Sequence, residues 1–154
     1  MPEKHEAFFI EYPNLTLELY TKVELFSPLT MKKQETFAIW DTGATISSIS
    51  PELQKKLNLE PIGLLDIEGI NSLEPCEQVL VHVGLPNMII VPDVRPVVCV
   101  FGPPDLGFII GMDIIKLGDL MISNSHGKTL FSFATPPLPM RINLVNQADN
   151  LNCS

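Results

Sequence analysis

Residues 37–50, FAIWDTGATISSIS, place one aspartate in a stretch that carries no other charge. Phe37, Ala38, Ile39 and Trp40 form a strand-like run that drives straight into Asp41. The chain turns at Gly43 and leaves through a second β-leaning run, residues 46–49. A carboxylate between two apolar strands is costly to bury unless something compensates it. A loop that presents the carboxylate to a cleft avoids that cost. Gly43, with no Cβ, then lets the backbone fold closely behind it. Backbone N–H groups of such a loop can hold the carboxylate, and Thr42 adds a hydroxyl for a neighbouring backbone group.

Outward from this loop, the pattern is mostly strand. Leu15, Leu17 and Leu19 alternate, which predicts a strand running on to residue 26. Ser50-Pro51-Glu52 reads as an N-cap, a first-turn proline and a first-turn acid, with Leu53 and Leu57 on one face of a short helix. Residues 62–85 read as a hairpin with its tip at 69–72, its return arm alternating at Val79, Val81 and Val83. NMIIV (87–91) and VRPVVCVF (94–101) are two further strands. Residues 107–120, GFIIGMDIIKLGDL, read as a buried strand, a glycine and a short helix ended by Gly118; residues 120–133 close as a hairpin. This predicts about nine strands and two short helices in one mostly-β domain, residues 1–133. Residues 134–154 form a Pro/Asn-rich tail, a packed or flexible arm.

Bulk composition agrees. The chain has 154 residues, 45% hydrophobic, only 18% charged, with 14 prolines. That suits short strands and many turns, and a real core. A net charge of −8 repels a phosphate backbone, so no nucleic-acid partner is expected. No apolar segment follows the polar start, and no run approaches the roughly 18 apolar residues of a membrane helix. Cys76, Cys99 and Cys153 lack a C-x-x-C spacing and read as free thiols in a reducing cytoplasm.

AIWDTGAT (38–45) followed by FIIGMDIIKLGD (108–119) resembles the retropepsin-like, single-domain aspartic proteases, nearest in wording to their bacterial members. The resemblance covers most of the chain, about residues 15–133. It implies a closed acid-protease β-barrel with a flap hairpin. Asp41 takes the catalytic position, supported by Thr42, Gly43 and Ala44. Ile67, Gly69 and Ile70 take the flap that covers substrate, and Ile109, Ile110 and Gly111 the second signature. The implied activity is aspartic endopeptidase, with water activated between two carboxylates and no metal or cofactor. Retroviral members usually carry an ion pair where this chain has Thr45 and Met112; here both charges are missing together.

The chain has a single Asp-Thr/Ser-Gly, so the second carboxylate is expected from Asp41 of another copy in a homodimer acting on a protein or peptide. A second reading keeps the fold as a dimerisation or peptide-binding module with weak or absent catalysis. A third, phosphotransfer through an aspartyl phosphate, lacks the lysine, the glycine-rich loop and the α/β alternation it needs. Trp40 reads as core rather than substrate contact, and Asp113 as a helix N-terminal acid. His5, His82 and His126 make no ligand spacing with the cysteines.

Overall fold

The computed structural model describes residues 4–66 and 75–152. In chain order its strands are β1 (Glu6–Glu11), β2 (Tyr20–Phe26), β3 (Lys33–Trp40) and β4 (Ser48–Ile49). Helix α1 (Pro51–Leu57) precedes β5 (Gly63–Leu65), β6 (Cys76–Gln78), β7 (Val81–Leu85), β8 (Ile89–Val94), β9 (Val97–Val98) and β10 (Leu106–Ile110). Helix α2 (Met112–Ile115), β11 (Asp119–Ser123), β12 (Leu130–Thr135) and helix α3 (Leu144–Asn152) complete it. Among the described residues no helix is long and apolar enough to cross a membrane.

A nine-stranded sheet, ordered β5-β6-β9-β4-β10-β3-β2-β7-β8, curls as a half-barrel; a three-stranded sheet, β1-β12-β11, accompanies it. The expected acid-protease barrel is therefore a mostly-β half-barrel with few short helices. Alternation does the local work. In β2, Thr21, Val23 and Leu25 are buried; in β3, Ala38 and Trp40 are. Trp40 lies in the core. Its ring sits 5.0 Å from both Phe131 and Phe133, and its Nε1–H donates to Thr21 Oγ1 at 2.9 Å. Helix α1 starts as its sequence predicts: Ser50 Oγ accepts from the Leu53 N–H, Pro51 opens the first turn, and Asn58 ends it in the left-handed conformation.

Four expectations change. Glu6–Glu11, a segment to which the sequence pattern assigns no element, forms β1, where Phe8 pairs with Phe133 and Ala7 with Ala134 on β12. The alternating residues 15–19 lie outside the strand, which begins at Tyr20; Leu17 is fully exposed. The return arm of the predicted hairpin divides: β6 pairs with β5, whereas β7 leaves for β2 and β8. Within the C-terminal segment, α3 forms with the Asn143 side chain accepting the Val145 N–H, and none of its residues is buried. The hairpin-tip positions Ile67, Gly69 and Ile70 lie outside the described residues.

Candidate active site

The position of Asp41 follows from one strand pairing. β3 and β10 run parallel, with Ile39 opposite Ile109 and Trp40 opposite Ile110. Parallel strands end at the same edge, so the loops that follow them leave side by side. The Asp41 N–H donates to the Ile110 C=O at 2.9 Å, the last bond joining the two strand ends. Seventy residues of chain thus return to within one hydrogen bond of Asp41.

Beyond that bond the two loops interlock. The Met112 N–H donates to the Ala44 C=O at 2.7 Å, and the Gly111 N–H to Ser47 Oγ at 3.0 Å. Ser47 Oγ in turn donates to Asp113 Oδ1 at 2.7 Å; the same oxygen accepts the Ser47 N–H and the Ile114 N–H, each at 3.0 Å. Ser47 is fully buried, so these bonds form where water does not compete. Gly111 is required by closeness: a Cβ there would stand 2.8–2.9 Å from backbone atoms of Ile46, Ala44 and Ser47. Asp113 is in the first turn of α2, as expected, and its carboxylate also fastens the Asp41 loop to that helix.

The Asp41 side chain itself is exposed. The Gly43 N–H donates to Asp41 Oδ1 at 2.8 Å, and the Ala44 N–H to the Asp41 C=O at 3.2 Å. A Cβ on residue 43 would meet Oδ1 at 3.1 Å, which crowds the carboxylate. One oxygen of Asp41 is therefore oriented by the backbone.

Asp41 opens on a cleft of about 1150 Å³. Gly43, Ala44, Thr45 and Ile109 line the side nearest to it; Leu65 and Cys76, paired across β5 and β6, line another wall, with Val98 and Cys99 beside them. On its other side Asp41 borders a hollow of about 490 Å³, with Thr42, Leu17, Leu19, Ile39, Leu120 and Ile122. Leu15, Leu17 and Ile122 expose apolar surface there or close by.

The structure thus brings together Asp41, Thr42, Gly43, Ala44, Ile109, Ile110 and Gly111. Ile109 faces the cleft, while Ile110 is buried and serves the strand. Met112 is partly buried and packs against the core. Sequence reasoning missed Ser47, whose only sign is a small polar residue amid β-formers, and the cleft wall at Cys76 and Cys99. Among the described residues no group of three or more His, Cys, Asp or Glu side chains is placed to hold a metal ion.

No protein-family model matches the chain, and no curated protein matches it in sequence. Among solved structures it is similar to a retropepsin-like aspartic protease from Rickettsia conorii, with a TM-score of 0.57 and 13% identity, over 86% of this chain and 96% of that one. It also aligns with the EIAV protease complexed with the inhibitor HBY-793, with a TM-score of 0.42 and 19% identity, over 68% of this chain and 90% of that one. At 13% identity the likeness to the Rickettsia protein concerns the fold: this chain has the retropepsin-like fold.

Proposed function

We propose that this chain is an aspartic endopeptidase, completed by a second copy of itself. The observation that carries the proposal is the Asp41 carboxylate, exposed at a large cleft with one oxygen oriented by the Gly43 N–H. Two such carboxylates facing across a two-fold axis would hold one proton between them. The ionised one takes a proton from water, and the resulting hydroxide adds to the peptide carbonyl carbon. The protonated one gives its proton to the substrate, and the tetrahedral intermediate then collapses with departure of the amine. Thr42, Gly43 and Ala44 position the carboxylate, and Ile109, Ile110 and Gly111 hold the loop behind it. Ile67, Gly69 and Ile70 cover the substrate in this reading.

The homodimer is supported by the single Asp-Thr-Gly and by the apolar hollow that begins at Asp41 and Thr42. Exposed Leu17 and Ile122 give a second copy something to cover there, next to the carboxylate it must meet. The substrate is a protein or peptide in extended form, which suits a cleft walled by strand segments. The setting is a reducing cytoplasm; the C-terminal tail, expected from residue 134, follows the end of β12 at Thr135.

The neutral pair Thr45 and Met112 favours a second reading, a peptide-binding or dimerisation module with little catalysis. Digestion of casein or a peptide library by wild type and Asp41→Asn, with sedimentation in solution, separates the two. The peptidase reading expects cleavage by wild type, none by the variant, and a dimer with bound peptide. A monomer whose cleavage rate is strictly linear in protein concentration through dilution contradicts the homodimer. Peptide binding without cleavage by either protein establishes the module.

A further inference from the structure

We propose that Cys76 and Cys99 form a reversible disulfide across the wall of the Asp41 cleft, closed by a low-molecular-weight disulfide such as oxidised glutathione. β6 meets β9 antiparallel at Gln78 opposite Val97. The Val79 N–H donates to the Pro96 C=O at 3.1 Å, which makes Gln78 and Val97 a pair without mutual hydrogen bonds, the narrow kind of site. β9 ends at Val98 and Gln78–Val97 is the one bridging pair; carried two residues beyond it on each chain, the same alternation would set Cys76 opposite Cys99 in another narrow site. The Cys99 N–H donates to the Ile49 C=O at 3.1 Å, so the chain still runs extended along β4 at this point. Narrow pairs bring Cα atoms to about 4.5 Å, within the ~4.4–6.8 Å that a disulfide spans.

Three further observations agree. Both cysteines are thiols of intermediate burial, so a small oxidant reaches them. Both line the same cleft. Burial pushes the Cys99 thiol up, a hydrogen bond with the Ser48 side chain acts against this, and the neighbouring Cys76 adds to it.

The chemistry balances. One cysteine thiolate attacks a sulfur of the small disulfide, forming a mixed disulfide and releasing one small thiolate. The second cysteine thiolate then attacks the protein-side sulfur and releases the other. Two protein thiols are oxidised, one small disulfide is reduced to two thiols, and the protons pass to those products. The new bond ties β6 to β9, which share one bridging pair, and fixes the width of that wall. Only this effect on turnover rests on the peptidase reading; formation of the bond does not.

The test uses the full chain carrying Cys153→Ser, incubated with oxidised glutathione and then with reduced thiol. Intact mass and a non-reducing peptide map are expected to show loss of two hydrogens, one Cys76–Cys99 cross-link, and full reversal. Cys76→Ser and Cys99→Ser proteins, each compared with itself before and after oxidant, are expected to form no internal bond. Glutathione carried on each cysteine with no cross-link overturns the proposal. If the chain cleaves peptide, oxidation is expected to lower kcat/KM severalfold, chiefly by raising KM, since the bond lies in the wall and leaves Asp41 unchanged. Cross-linking with an unmoved KM overturns the control of turnover and leaves the modification site standing.

Discussion

The loop that carries Asp41 and helix α3 both lie at the surface, and they are held in opposite ways. Asp41, Thr42 and Gly43 are exposed and belong to no regular element, yet the loop ends in buried Ser47 and is bonded to Ile110, Gly111, Met112 and Asp113. Helix α3 is regular, with nine residues and a capping bond from Asn143, yet none of its residues is buried. Exposure and lack of regular structure therefore do not identify the loosely held part of this molecule. What separates the two is the number of polar groups that find partners away from water, where each bond is worth more and each loss costs more.

The comparison is tested most strongly at its chemical end. Asp41→Asn keeps the shape and the acceptor for the Gly43 N–H but removes the base. Peptide hydrolysis is expected to fall by at least about 10²–10⁴-fold, with the urea unfolding midpoint unchanged. A large fall in the midpoint would show that the Asp41 charge holds the loop together, rather than its bonds to Ile110, Gly111, Met112 and Asp113.

Gly111→Ala attacks the interlock itself. Its Cβ would enter backbone atoms of Ala44, Ile46 and Ser47, which cannot swing aside as a side-chain tip can. A destabilisation of about 1–3 kcal/mol is expected in denaturant titration. Gly63→Ala is the matched control, since nothing stands within 4 Å of a Cβ there and the residue is exposed; its effect should lie within about 0.5 kcal/mol. Equal effects at the two glycines would remove closeness as the reason for Gly111.

Asp113→Ala withdraws the acceptor of three hydrogen bonds and leaves the buried Ser47 hydroxyl and N–H without it. A loss of about 1–3 kcal/mol is expected, with Asp113→Asn, which keeps one carbonyl oxygen, nearer to wild type. Faster amide hydrogen exchange at Ser47 and Gly111 would place the loss in the interlock. Exchange unchanged there would assign Asp113 to the start of α2 alone.

The smallest effect is expected at the other pole. A chain ending at residue 140 lacks α3, and the free energy of unfolding should move by no more than about 0.5 kcal/mol, because no residue of α3 is buried. A larger drop would mean that α3 is covered in solution by something other than its own domain, and a second copy would be the first partner to test by sedimentation.

Much of this protein follows from local pattern. The run into Asp41, the glycine behind it, the Ile-Ile-Gly signature, and the start of α1 at Ser50-Pro51 depend on neighbours within a few residues. Side-chain period, φ preference and capping act at that range, so those features are legible along the chain. Other features depend on what arrives from far away. Nothing near Glu6 indicates that Phe8 will pair with Phe133, and nothing near Val81 indicates that β7 leaves its apparent hairpin for β2. Alternation at Leu15, Leu17 and Leu19 is a strand signal without a strand, because a strand also requires a neighbour for its hydrogen bonds. Ser47 meets Asp113, and Cys76 and Cys99 come to line one cleft, only after β3 takes β10 and β6 takes β9. Local pattern alone singles out Asp41 as the candidate carboxylate and the alternating faces of β2 and β3 as core. Tertiary structure alone decided which backbone groups hold that residue, because hydrogen-bond partners and strand register are set by position in space rather than by distance along the chain.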